Sequence, residues 1–292
     1  MLLNSAKLIQ RAAFQRGALQ NAGLQQCKAQ SMSNAASSGP PGPPVYMVYG
    51  ATGGIGGALA QRLARQPEAK LVLVGRDQEK LDKLQSELHP EASVTSAVAD
   101  VIDAKQVEAA VKKAVDTYGR ISGVANCTGS IVLRSAHATS DADFDQVMKV
   151  NLYSCFNILK PTVKSMMTTG GGSIAFCSSA VAKHGIPNHE AIAAAKAGII
   201  GLCLSASATY APKNIRVNCV APGLTRGPGM SARITQPGSP ALKASEAMHA
   251  LKRVGEPEDV AAALEFFMHP NNSFITGQCL AVDGGLGSVK PQ

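Results

Sequence analysis

The sequence predicts a single α/β domain built on a doubly wound, parallel, seven-stranded sheet. Three observations predict it. From Val45 onward, apolar runs of strand length alternate with longer helical patterns. A glycine-rich turn, Gly50-Ala51-Thr52-Gly53-Gly54-Ile55-Gly56, follows the first run and opens a helix. No internal repeat divides the remainder, and 292 residues at 45% hydrophobic and 16% charged can bury one large core.

The chain opens on a segment that cannot belong to that core. Residues 1–44 contain Lys7, Arg11, Arg16 and Lys28 and no acid, and the first acidic residue is Glu68. Leu2, Leu3, Leu8, Ile9, Phe14 and Leu19 are interleaved with the first three cations, the composition of an organelle transit peptide. Lys7 and Arg11 interrupt the only apolar stretch that could serve as a secretory signal. Ser31 to Pro44 reads as a flexible Ser/Ala/Gly/Pro linker. The expected division is therefore transit peptide and linker over 1–44 and a folded domain over 45–292. Mitochondrion and plastid both stay open as destinations, the Arg-bearing amphipathic pattern leaning to the mitochondrion.

Charge narrows the partners. The formal net charge is +8, but without the four leader cations 24 basic residues stand against 20 acidic ones. So mild an excess, with no basic cluster interleaved with aromatics, argues against nucleic acid. No apolar run reads as the roughly 20-residue span of a membrane helix, so the processed protein is expected to be soluble. Seven cysteines occur singly, without metal spacing, and read as reduced core residues. Cys127 and Cys177 flank motifs described below, which leaves a redox role open.

Strands are expected near 45–49, 71–74, 93–98, 121–126, 173–178, 215–220 and 278–282. Helices are expected near 54–66, 77–88, 103–118, 141–168, 188–210 and 256–268. Right-handed crossovers then give a Rossmann-type sheet with its ligand edge at the strands' C-termini. At that edge Gly50, Thr52, Gly53, Gly54, Ile55 and Gly56 form a turn able to approach a pyrophosphate. The following helix supplies unpaired N–H donors and partial positive charge. After the second strand, Gly75 is followed by Arg76 where an NAD site would present an acid. A cation there suits a 2′-phosphate, so NADP(H) is the expected cofactor, with Asp77 partly offsetting it. Leu224 to Leu251, rich in Gly, Pro and Ser, reads as a mobile lid.

These residues resemble the short-chain dehydrogenase/reductase family over about residues 45–286, and are similar to its β-ketoacyl carrier-protein reductase-like members. The resemblance implies further roles. Asp100-Val101 matches the pair that meets adenine, and Asn126-Cys127-Thr128-Gly129 keeps the first and last residues of the family's Asn-Asn-Ala-Gly. Asn151 matches the asparagine that holds a proton-relay water, Ser179 has the spacing of the catalytic serine, and Pro222-Gly223 matches the pair beside the nicotinamide. Tyr49 and Gly227 stand where the family usually has threonine.

One position departs from the pattern. The family's Tyr-x-x-x-Lys reads here as Ile192-Ala193-Ala194-Ala195-Lys196, so the lysine is kept and the proton-transferring phenol is not. Losing a general acid costs on the order of 10² to 10⁴ in rate. His189 is the best-placed substitute, because 189, 192 and 196 share a helical face. His184, in the loop after Ser179, is a second and weaker one. Asn188 is the expected N-cap, and Glu190 is explained by the helix dipole.

The candidate catalytic set is therefore Ser179, Lys196, Asn151 and His189, with no metal site. Two functions follow. One is an NADP(H)-dependent oxidoreductase acting on a small carbonyl, alcohol or activated double bond with a non-standard proton donor. The other is a catalytically inactive NADP(H)-binding subunit or redox sensor. The resemblance also implies a homodimer or homotetramer through the long helices, and the small-residue run Ala191 to Ser207 permits close packing.

Overall fold

In a computed structural model, residues 42–228 and 230–289 are described. The expected leader and most of the expected linker lie outside those residues. Seven parallel strands form one sheet in the order β3-β2-β1-β4-β5-β6-β7. They are β1 (Val45–Tyr49), β2 (Lys70–Gly75), β3 (Ser93–Val98), β4 (Gly123–Asn126), β5 (Gly172–Cys177), β6 (Ile215–Pro222) and β7 (Cys279–Val282). The order reverses between β1 and β4, which opens a crevice beyond their C-terminal ends.

The helices follow as α1 (Gly54–Leu63), α2 (Gln78–Glu87), α3 (Ala104–Tyr118), α4 (Asp141–Met148), α5 (Ser154–Thr168), α6 (Glu190–Tyr210), α7 (Met230–Ile234), α8 (Pro240–Met248) and α9 (Pro257–Met268). Both faces of the sheet are covered, so β1, Val-Tyr-Met-Val-Tyr, is buried along its whole length. Met47, Val72, Val124, Ile174 and Val217 point toward α3, α5 and α6. Val48, Leu73, Ala125, Ala175 and Val220 point toward α1, α2 and α9. Asp77 and Asp103 cap α2 and α3 through their carboxylates, and Gly119 closes α3 at φ 78°.

Four expectations need correction. The helix expected over 141–168 is broken by a π-helical segment, Lys149–Tyr153, which re-aims Asn151 inward. Asn188 is not the N-cap of α6. It takes a left-handed φ of 63°, which asparagine tolerates, and His189 occupies the cap position without a side-chain capping bond. The stretch Leu224 to Leu251, within which no helix is expected, contains two short ones, α7 and α8. Finally, the segment Glu190–Lys213 is long and apolar enough to cross a membrane by length and composition. Its apolarity has another cause here, because Ile192, Ala195, Ile199, Cys203 and Ala206 are buried in the fold's own core.

Candidate active site

The glycine turn is built to bring backbone close to a ligand. Gly50 takes φ 71°, and its N–H and that of Ala51 bond the Val74 carbonyl at 2.9 and 3.1 Å. A Cβ on Gly56 would collide with the Gly50 carbonyl, so only glycine lets α1 begin this near β1. Gly53 caps α1 without any side-chain bond, and the first turn carries no acid. Donors at that end therefore point beyond the sheet edge with the helix's positive pole behind them. Thr52 Oγ1 approaches Gly75, and Arg76 beyond it is exposed. Lys80 holds the Asp77 carboxylate through a backbone N–H and an ion pair of 3.2 Å. Those bonds hold the Asp77 carboxyl below the usual range.

Asp100 and Val101 follow β3, with Asp100 Oδ1 accepting from the Ile102 N–H at 3.1 Å. Asn126 ends β4 and is buried. Its Oδ1 accepts from the Thr128 N–H and hydroxyl at 3.0 and 2.6 Å, while Nδ2 donates to Ser154 Oγ at 3.3 Å. That clamp delivers Gly129 to a crowded place. A Cβ there would stand 3.1 Å from Asn151 Oδ1 and 3.5 Å from Lys196 Nζ.

Past the strand ends lies a mostly apolar cavity of about 440 Å³. Gly54, Ile55, Gly129, Asn151, Ser179, His189, Ile192, Lys196, Pro222 and Gly223 all line it. The other expected cofactor residues, Gly50, Thr52, Gly53, Gly56, Arg76, Asp100, Val101 and Asn126, are not in that lining and stand along the same sheet edge. Residues of the 224–251 stretch, among them Leu224, Ile234, Ala244 and Met248, supply one wall.

Lys196 is the buried cation of the site. Its Nζ donates to the Cys177 carbonyl at 2.8 Å, and the Lys196 carbonyl accepts from Ser178 Oγ at 2.8 Å. Burial pushes its ammonium below the ordinary lysine range. Asn151 is fully buried, Nδ2 donating to the Val147 carbonyl at 2.9 Å and Oδ1 accepting from the Ser130 N–H at 3.2 Å. Ser179 Oγ is 3.5 Å from the Pro222 carbonyl and faces the cavity with its hydroxyl lightly held.

His189 Nδ1 lies 2.7 Å from the Pro187 carbonyl. A carbonyl only accepts, so Nδ1 carries hydrogen and Nε2 of the neutral ring presents a lone pair. In that form the ring takes a proton; it gives one from Nε2 only as the imidazolium. Among the described residues no tyrosine lines the cavity. His184 is absent from the lining too and lies against Gly287, where any Cβ would collide with its ring.

Sequence reasoning missed two features. Ser130 grips both ends of the Asn151 amide, donating through its N–H and accepting at its carbonyl and hydroxyl oxygens. His249 is 1% exposed, donates from Nδ1 to the Ser245 carbonyl at 2.7 Å, and leaves Nε2 without a partner. Its ring lies against Gly223, where a Cβ would come within 2.5 Å of Nε2. No spacing in the sequence links residues 223 and 249. Only the return of α8 to the sheet edge does.

Comparison with known proteins agrees with this architecture. A family profile described as enoyl-(acyl carrier protein) reductase matches residues 50–287. The 3-oxoacyl-[acyl-carrier-protein] reductase of Thermotoga maritima is 35% identical over 233 residues, covering 79% of this chain and 92% of the relative. The protein described as inactive 2-(S)-hydroxypropyl-CoM dehydrogenase 2 of Xanthobacter autotrophicus is 31% identical over 230 residues, covering 78% and 99%. The solved structure of ElxO with NADP bound superposes with a TM-score of 0.79 at 25% identity, covering 85% of this chain and all of that one. The glycine turn, the sheet order and the extent of these matches together show that the chain belongs to the short-chain dehydrogenase/reductase family.

Proposed function

We propose that this protein is an NADP(H)-dependent oxidoreductase that moves hydride to or from a small carbonyl, alcohol or activated double bond. The observation that carries the reading is the uncapped start of α1 over a turn where a Cβ on Gly56 has no room, continuous through Gly54 and Ile55 with the cavity that holds Lys196. A bound NADP(H) would supply the hydride. The protein's own groups do the rest. The α1 terminus and Arg76 hold phosphate, one through N–H donors and the other through a guanidinium. Gly129 admits the buried Lys196 and Asn151 to the cavity floor, Ser179 donates to a substrate oxygen, and apolar walls exclude water.

His189 is the proposed proton-handling group in place of the missing phenol. Its lone pair at Nε2 accepts the alcohol proton during oxidation, and its imidazolium returns one during reduction. The test follows NADPH oxidation by the full chain across carbonyls, enones and imines. Turnover of any class supports the reading, and tight binding with no oxidation anywhere refutes catalysis.

A second reading has an observation of its own. Ile192 lines the cavity and, among the described residues, no tyrosine does, which favours an inactive NADP(H)-binding subunit or redox sensor. The same experiment separates the two.

The leader composition supports import into an organelle matrix or stroma, mitochondrion ahead of plastid, to be checked by imaging a C-terminal fluorescent fusion. Tyr153 in the π-helical segment, Phe156 on α5 and Leu204 on α6 are more than half exposed, which supports a homodimer or homotetramer measurable by light scattering.

A further inference from the structure

Beyond cofactor binding, we infer that Cys127 and Cys177 form a redox-active dithiol in the cavity wall, which a peroxide closes to a disulfide. The placement comes from the sheet. β4 and β5 are parallel, with Asn126 opposite Phe176, so the next residues in register are Cys127 and Cys177. In parallel register both side chains leave on one face, and both belong to the core layer toward α1 and α9. Neighbouring strands lie about 4.8 Å apart, inside the roughly 4.4 to 6.8 Å that a disulfide spans between Cα atoms. Both cysteines line the cavity, where a small oxidant can enter.

Surroundings decide which sulfur reacts first. The neighbouring Cys127 thiol, and then the Lys196 ammonium, draw Cys177 below the usual thiol range, while the Cys177 sulfur and burial push Cys127 up. Cys177 is thus the nucleophile and Cys127 the resolving thiol. The Cys177 thiolate attacks one peroxide oxygen, the O–O bond breaks, and a sulfenic acid forms with release of hydroxide. Cys127 sulfur then attacks the sulfenic sulfur. The S–S bond forms, the S–O bond breaks, and the departing hydroxide takes the Cys127 proton to become water. Two thiols lose two electrons and two protons, and one peroxide becomes two waters. Among the described residues no third His, Cys, Asp or Glu joins the pair to make a metal site.

The other thiols provide internal controls. Cys155 lies on the opposite face of the sheet, is 1% exposed, and is pushed up to about 11, chiefly by burial. Cys219 and Cys279 are also register partners, but at the β6–β7 edge and outside the cavity lining.

A bridge would act on the site from both sides. Cys127 lies between Asn126 and Thr128, whose bonds position Gly129, and the Cys177 carbonyl is the acceptor of Lys196 Nζ. Drawing the sulfurs together across a parallel ladder strains both contacts, and strained bridges are the readily reduced ones.

The test treats the full chain with hydrogen peroxide, alkylates remaining thiols, digests with trypsin and maps linked peptides by mass spectrometry. Trypsin leaves Cys127 alone in peptide 121–134 and Cys177 alone in peptide 165–183, so their link is unambiguous. The expected result is that link, reversed by dithiothreitol and absent from Cys127→Ser, in which Cys177 instead proceeds to sulfinic acid. A trivalent arsenical, which needs two adjacent thiols, should bridge the same peptides in the reduced protein. Accumulation of sulfinic Cys177 in the wild type without a link, or a link confined to Cys219 and Cys279, overturns the proposal. Oxidation is also expected to weaken NADPH binding on the order of tenfold, the loss of about one ligand contact; this arm alone rests on the proposed cofactor. A reversible link in a protein that never binds NADPH would refute the cofactor and leave the dithiol standing.

Discussion

Ile192 precedes Lys196 by one turn on the same buried face of α6, the two being 3% and 7% exposed. The helix neighbour of the ammonium is therefore an aliphatic branch that carries no proton. Among the described residues no tyrosine lines the cavity that Ile192 and Lys196 share, which leaves no phenolic acid on its walls.

Replacing Ile192 by Tyr should restore that acid. The side chain lines the cavity, so a ring can extend into open space. In a His189→Ala background, carbonyl reduction is expected to rise on the order of 10² to 10⁴, with NADPH affinity unchanged. Steady-state NADPH oxidation measures it. No gain in a variant that folds and binds NADPH would place the deficiency elsewhere.

His189→Ala separates the stand-in donor from mere pocket lining. If His189 handles the proton, any wild-type turnover falls on the order of 10² or more while the NADPH dissociation constant stays put. Retained turnover eliminates this residue. The Pro187 carbonyl that orients its ring is backbone and survives the substitution.

Most of the fold was legible in the chain because its signals are local. The β1 run and the glycine turn each lie within a few residues, and every expected strand is present to within two residues at its ends. What escaped depends on distant contacts. Nothing periodic marks the π-helical segment that turns Asn151 toward Ser130, or announces that His249 lies on Gly223. Asn188 was misread because a helix-start asparagine serves equally as a cap or as a left-handed residue before one.

Gly56→Ala should damage the glycine turn and the fold together. The added methyl meets the Gly50 carbonyl, and relieving an overpacked contact costs about 1 to 3 kcal/mol. Thermal melting should show the loss, and NADPH titration a weaker site. An unchanged melting temperature would mean that α1 shifts freely, against the tight approach described above.

Lys196→Met tests the buried charge. Burial lowers the folded-state pKa, whereas the unfolded lysine titrates near about 10.4. Between those values the unfolded chain holds a proton that the folded one lacks, so wild-type stability rises with pH across that window and the burial cost is felt below it. Methionine removes the cost. The variant should be more stable than the wild type near neutral pH, by on the order of 1 kcal/mol, with the gap narrowing as pH climbs. Denaturant melts across the alkaline range read the difference, and a parallel pH dependence would mean that the ammonium is not desolvated.

The most direct test of the central claim is a fluorescence titration of the full chain with NADPH and NADH, repeated on Arg76→Ala. The account predicts tighter binding of NADPH in the wild type, and an Arg76→Ala variant that loses about tenfold for NADPH, the value of one charge-assisted contact, while NADH is unaffected. No measurable affinity for either dinucleotide would contradict it.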